Sequence, residues 1–191
     1  MNSTNENVLV ILCALFFSAH AASEGDDDKG GPCEIFVQDV NNLTLNCSRR
    51  HIDKIPTWPA TLETQGKEDG HVRITLFNNS ISNVTQLAPV PGNRIAISFK
   101  SNKIVEIEDD AFRNLDHMGS YKDGVYSDID LETLNLGYNE IHSLDKYLGL
   151  SYLRQIDLSG NFFLNVPESL SLVGDSLQYL TFNNNPLDCQ T

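Results

Sequence analysis

Beyond the first 21 residues the chain carries His51, His71, His117 and His142, and with its carboxylates these are the side chains able to move a proton or hold a metal. Their spacing favours neither role. No H-x-x-x-H pair and no G-x-S-x-G nucleophile turn occurs. Catalysis would need a buried histidine lining one pocket with two carboxylates, and His71 is expected instead to pack at the edge of the core. The densest acidic group, EGDDDKGG at 24–31, could gather calcium or mark a processing site. Its glycines fix no ligand geometry, so it reads as a solvated leader spanning 22–32. We expect no catalytic residue, no metal and no cofactor.

The remaining reactive chemistry belongs to an oxidising compartment. After a polar start, Val8 to Phe17 is an unbroken apolar run followed by Ala19-His20-Ala21, the pattern of a signal peptide over 1–21. A membrane anchor would need about 20 apolar residues, more than this stretch offers. No second such run follows, so the expectation is a secreted, extracellular protein without a membrane span. Glu6 is the sole charge of the first 21 residues, which leaves 12 of the 13 net negative charges on the remainder. That balance makes phosphate backbones and anionic lipid poor partners, and nucleic acid is excluded on this ground. With Cys13 removed, Cys33, Cys47 and Cys189 remain, an odd number that leaves one thiol without an internal partner. Secretion also exposes N-x-S/T acceptors, and Asn42, Asn78 and Asn83 are expected to carry glycans.

The elements that position these residues are counted by asparagines. HVRITLFNNSI (71–81), RIAISFKSNKI (94–104), LETLNLGYNEI (131–141), LRQIDLSGNFF (153–163) and LQYLTFNNNPL (177–187) superimpose on L-x-x-L-x-L-x-x-N-x-L, the leucine-rich repeat. Among the template's apolar positions only His71 and Arg94 are polar. Strand alternation turns positions 4 and 6 of each segment inward and positions 3, 5 and 7 outward. The chain then turns back, and Asn79, Asn102, Asn139, Asn161 and Asn185 each supply a donor and an acceptor to backbone groups left without a strand partner. Their intervals are 23, 37, 22 and 24 residues. The long interval contains DHMGSYKDGVYSDID, 116–130, which fails the template and reads as an inserted loop.

Upstream, LNCSRRHIDKIP fits the same frame with Leu45 and Cys47 inward, followed by Ile52 and Ile55. Here the sequence resembles the cysteine-containing amino-terminal cap of extracellular leucine-rich repeat proteins, the group of Slit, the small leucine-rich proteoglycans and Toll-type ectodomains. The resemblance covers about Cys33 to Cys189. It implies an α/β solenoid: a curved horseshoe with a parallel β-sheet on its concave face and mostly loops and 3-10 turns on its convex side. It further implies a cap over 33–70 closed by a Cys33–Cys47 bridge, which makes the Asn46 acceptor doubtful, then five repeats over 71–187. NNNPLDC resembles the entry to a carboxy-terminal cap, of which 188–191 would be a truncated start. The expected consequence is a fragment or isoform of a longer ectodomain, or a dimer formed through Cys189 or the uncapped end.

Such a scaffold recognises its partner through the outward residues of the concave face. Those are Arg73, Thr75 and Phe77; Ala96, Ser98 and Lys100; Thr133, Asn135 and Gly137; Gln155, Asp157 and Ser159; and Tyr179, Thr181 and Asn183. The inserted loop adds Tyr121 and Tyr126, large contact area among glycines. The function expected is non-covalent recognition of an extracellular protein or glycan in adhesion, signalling or innate defence. The alternative is a matrix organiser similar to the small proteoglycans.

Overall fold

The computed structural model describes residues 33–39, 41–58, 70–90, 94–115, 120–122, 125–127, 130–144, 150 and 152–188. The expected signal peptide and acidic leader, Cys189 and residues 59–69 of the expected cap lie outside them. The described chain is mostly sheet. In order, its strands are β1 (Glu34–Asp39), β2 (Asn42–Asn46), β3 (His71–Thr75), β4 (Asn83–Val84), β5 (Arg94–Ser98), β6 (Glu106–Ile107), β7 (Ser120–Lys122), β8 (Val125–Ser127), β9 (Asp130–Asn135), β10 (Gln155–Asp157) and β11 (Tyr179–Thr181). The helical segments among the described residues, Arg113–Leu115 and Glu168–Ser176, are 3-10 turns.

One seven-stranded sheet runs β1-β2-β3-β5-β9-β10-β11. From β2 onward its neighbours pair in parallel, while β1 folds back antiparallel onto β2 with Glu34 opposite Asn46. Two-residue strands β4 and β6 pair in parallel beyond the main sheet. Cys33, at the start of β1, is disulfide-bonded to Cys47 at the end of β2. The bridge ties the edge strand to its neighbour, and Arg50 adds an ion pair with Glu34 at 2.8 Å.

Inward residues stack strand on strand: Leu43, Leu45 and Cys47 on Val72, Ile74 and Leu76, then Ile95, Ile97 and Phe99, then Leu131, Leu134 and Leu136. The returning segments close the core with Ile81, Ile104, Phe112, Leu115, Ile141 and Phe163. Phe99 and Phe112 meet with ring centroids 6.4 Å apart. Each such side chain taken out of water contributes about 1.5–3 kcal/mol. At β11 the stack thins: Leu180 is 42% exposed and Leu187 41%, with Leu177 and Phe182 only partly buried.

The asparagines stitch each turn to the one before. Asn139 Nδ2 donates to Leu136 O at 2.9 Å and to Phe99 O of the preceding turn at 3.0 Å, while its Oδ1 accepts from Ile104 N at 3.1 Å. Asn102 and Asn161 repeat the pattern, and Asn79 bonds to Cys47 O at the end of β2. Immediately before each asparagine the backbone is left-handed: Asn78, Ser101, Tyr138, Gly160 and Asn184 have φ between +55° and +63°. That conformation favours asparagine and glycine, which explains the doubled asparagines at 78–79 and 184–185.

The two template failures are resolved by parity. Residues 2, 4 and 6 of a strand share a face, whereas L-x-x-L spaces its first two leucines by three and cannot keep both inward without an extra residue. In β3 and β5 Val72 and Ile95, at position 2, fill the core, so His71 and Arg94 at position 1 face solvent. His71 is therefore exposed, not packed at the core edge as expected. At β9 a bulge restores the template: Ile95 lies opposite Leu131 and Ala96 opposite Thr133, with Glu132 as the extra residue.

Candidate functional site

Parallel register lines the outward residues into rows across the sheet. One row runs Asn46, Thr75, Ser98, Asn135, Asp157 and Thr181; beside it run Thr44, Arg73, Ala96, Thr133, Gln155 and Tyr179. A third, near the start of the strands, begins Asn42, His71 and Arg94. The strand residues expected to face outward lie on these rows, and Phe77 and Lys100 follow the strands, but Gly137 and Ser159, expected outward as well, are buried.

The first row is largely committed to the fold. Asn46 Oδ1 accepts from Ser48 N, Asn135 Oδ1 from Gly137 N and Asp157 Oδ1 from Ser159 N, each at 2.9–3.0 Å, with a longer 3.4 Å contact from Lys100 N to Ser98 Oγ. These side chains hold the backbone as it leaves each strand, an Asx-type role. Ser159 Oγ also donates to Asp157 Oδ1 at 2.6 Å. Sequence alternation identifies the outward positions but not this second job; its signal is the recurrence of Asn, Ser and Asp at position 5.

Where the strands end, cations lie over aromatic rings. The Arg49 guanidinium is 5.6 Å from the Phe77 centroid, and Lys100 Nζ is 5.1 Å from that of Tyr138. Such contacts contribute about 0.5–1 kcal/mol at exposed positions and leave the rings open to a partner.

The uncommitted part of the face is the side where the strands begin. Ala96 leaves a gap between Arg73 and Thr133, and a depression of about 130 Å³ opens there, lined by Gln38, Asn42, His71, Arg73, Arg94 and Glu132 among others. Arg73 and His71 are exposed, and no ion pair or side-chain hydrogen bond engages either among the described residues. Glu132 lies between two guanidinium groups, 3.7 Å from Arg94 Nε and 3.7 Å from Arg154 Nε, with its side chain 24% exposed. His71 stood out in the sequence only as a polar residue at a leucine position expected to pack, and Glu132 not at all; the parity shift and the bulge bring them here.

The inserted segment contains a β-hairpin, not an unpaired loop: β7 and β8 pair antiparallel, with Tyr121 opposite Tyr126. Asp123-Gly124 separates the strands, a dipeptide that favours tight hairpin connections and was the legible signal. Because β8 ends three residues before β9 begins, the hairpin is tethered within about 10 Å of the end of the sheet that holds the depression.

Of the glycan acceptors, Asn78 is exposed in its left-handed turn. Asn42 is half-buried in β2 and borders the depression. Asn83, which a glycan would require to point outward, is instead half-buried in β4, with Oδ1 buried and without a hydrogen-bond partner among the described residues. Among the described residues no three of His, Cys, Asp and Glu gather as a metal site, and no helix is long and apolar enough to cross a membrane.

No family model matches the chain. It is 24% identical over 194 aligned positions to "Leucine-rich repeats and immunoglobulin-like domains protein 3" of Homo sapiens, an alignment covering 84% of this chain and 16% of that protein. The chain thus spans a small fraction of that relative's length. Together with the repeating strand, turn and asparagine geometry, this similarity supports a leucine-rich repeat protein.

Proposed function

We propose that the chain is a secreted, glycosylated recognition module, built as a curved leucine-rich repeat solenoid, that binds an extracellular protein through the outward face of its sheet. One observation carries the reading. The row Thr44, Arg73, Ala96, Thr133, Gln155 and Tyr179 is in register across the sheet, and among the described residues no side-chain hydrogen bond or ion pair engages it, whereas Asn46, Asn135 and Asp157 of the adjacent row are hydrogen-bonded to their own backbone. A solvated row of mixed hydroxyl, amide, cationic and aromatic groups offers a protein surface both hydrogen bonds and contact area. Similarity to a leucine-rich repeat protein favours interaction over catalysis in the same direction. A second copy, covering β11 and joined through Cys189, is the oligomer this arrangement would permit.

The test is cross-linked capture from cell-surface extract with three proteins: wild type, Arg73→Glu with Lys100→Glu, and a deletion of residues 119–127. The wild-type partner should be lost from the double variant while its thermal unfolding stays close to wild type. Loss from the hairpin deletion alone would move recognition off the sheet, and retention on collagen fibrils in place of cells would favour a matrix organiser.

A further inference from the structure

We propose that the depression bordered by β2, β3, β5 and β9 receives a single carboxylate, the side chain of an aspartate or glutamate on the protein partner. This rests on the recognition reading above and specifies the chemistry at one place on that face.

The chain's net charge is −13, yet of the three charged side chains lining the depression two are cationic, Arg73 and Arg94, against the single carboxylate of Glu132. His71 stands directly across from Arg94 in the parallel pair, with Arg73 two residues on in the same strand. Arg73 and Arg94, diagonal neighbours on adjacent strands, repel one another, and the fold requires nothing at these positions beyond a side chain that tolerates water. Serine or threonine would serve the strand without the repulsion. Arg73 has no ion pair among the described residues, so its guanidinium presents its donors to solvent.

Glu132 shows that this part of the face can hold a carboxylate. The bulge sets it between Arg94 and Arg154, at 3.7 Å from each Nε, while the Arg94 side chain remains 57% exposed. A carboxylate entering beside Ala96 would meet Arg73 and Arg94 from two strands, with Gln38 and Thr133 lining the same depression. Arginine forks suit that geometry better than a point charge would.

Size and field distinguish a lone carboxylate from a polyanion. About 130 Å³ accommodates a carboxylate with a methylene or two. A sulfated chain would need unpaired cations to continue across the face, but the row of Arg73 proceeds to Gln155 and Tyr179, and Arg154 beyond Arg94 is paired with Glu132. The acidic remainder of the molecule would also repel a long polyanion while leaving a short contact at the depression little affected.

The test titrates isotope-labelled protein with capped Ala-Glu-Ala, capped Ala-Gln-Ala and a heparin-derived disaccharide, following backbone amides by NMR. Ala-Glu-Ala should produce saturable shifts centred on Thr44, Arg73, Ala96 and Thr133, and Ala-Gln-Ala should not. Arg73→Gln and Arg94→Gln should each weaken the response about tenfold, the loss expected for one charge-assisted contact. Glu132→Gln should strengthen it by removing the competing carboxylate. Equal shifts with Ala-Gln-Ala or tighter binding of the disaccharide would overturn the proposal. A partner captured by the sheet face but indifferent to Arg94→Gln would overturn the carboxylate site alone, whereas failure of the face variants to affect capture would overturn the recognition reading.

Discussion

The ring of Tyr138 packs over Gly160 of the following turn so closely that a β-carbon on Gly160 would lie 2.8 Å from Tyr138 Cδ1. Gly160 also holds φ at +63°, and Lys100 approaches the same tyrosine ring. Gly160→Ala should therefore cost about 2 kcal/mol, combining the left-handed backbone term with displacement of the ring. In a Tyr138→Ala background the steric part disappears and about 1 kcal/mol should remain. Denaturant midpoints of the four proteins in this cycle measure the difference; identical costs in both backgrounds would show that the ring is not the obstacle.

Asn139 and Asn185 make equivalent bonds in different surroundings. Asn139 is 4% exposed, whereas Asn185 is half-buried at the thinning end of the core. Removing either side chain strands two carbonyls and one N–H, each costing about 1–3 kcal/mol where water cannot reach it. Asn139→Ala should lose about 4 kcal/mol and Asn185→Ala about 1 kcal/mol, read from equilibrium unfolding. Equal losses would mean the last turn is as well sealed as the middle.

The Cys33–Cys47 bridge closes a loop with a sequence separation of 14, and its reduction should cost about 3 kcal/mol. Because β1 contacts the sheet through β2, β1 amides should gain hydrogen exchange first on reduction, before those of β5 and β9. Peptide mapping without reductant should recover the two cysteines joined. Two alkylated thiols in protein purified without reductant would contradict the bridge.

Asn78 is the acceptor best placed for a glycan, exposed beside the end of β3. Glycopeptide mass spectrometry of protein from a eukaryotic host should find it modified, and Asn78→Gln should remove one glycan's mass with little change in unfolding. An unmodified Asn78 alongside a modified Asn83 would show that the buried Oδ1 of Asn83 is exposed during synthesis or in solution.

Much of this architecture is legible because its cause is local and repeated. Ile74, Ile97, Leu134 and Ile156 recur at one position, and the asparagines recur five residues later, so a single frame predicts strand, inward face and turn. Three features escape that frame. The bulge at Glu132 arises from a parity conflict between neighbouring repeats, visible in the sequence only as polar His71 and Arg94 at a leucine position. The local bonds of Asn135 and Asp157 depend on side-chain geometry that alternation does not specify. The depression needs residues from several strands, with Ala96 small at the centre and Arg73, Arg94 and Glu132 around it, and no segment contains that arrangement.

The central claim, that recognition occurs on the outward sheet face, is tested most directly by hydroxyl-radical footprinting of the captured complex. Tyr138 and Tyr179 are exposed on the sheet side at 47% and 65%, while Phe162 and Val105 are exposed on the returning segments at 48% and 51%. Binding should reduce labelling of Tyr138 and Tyr179 and leave Phe162 and Val105 unchanged. Protection of Phe162 and Val105 with the two tyrosines still freely labelled would contradict the account.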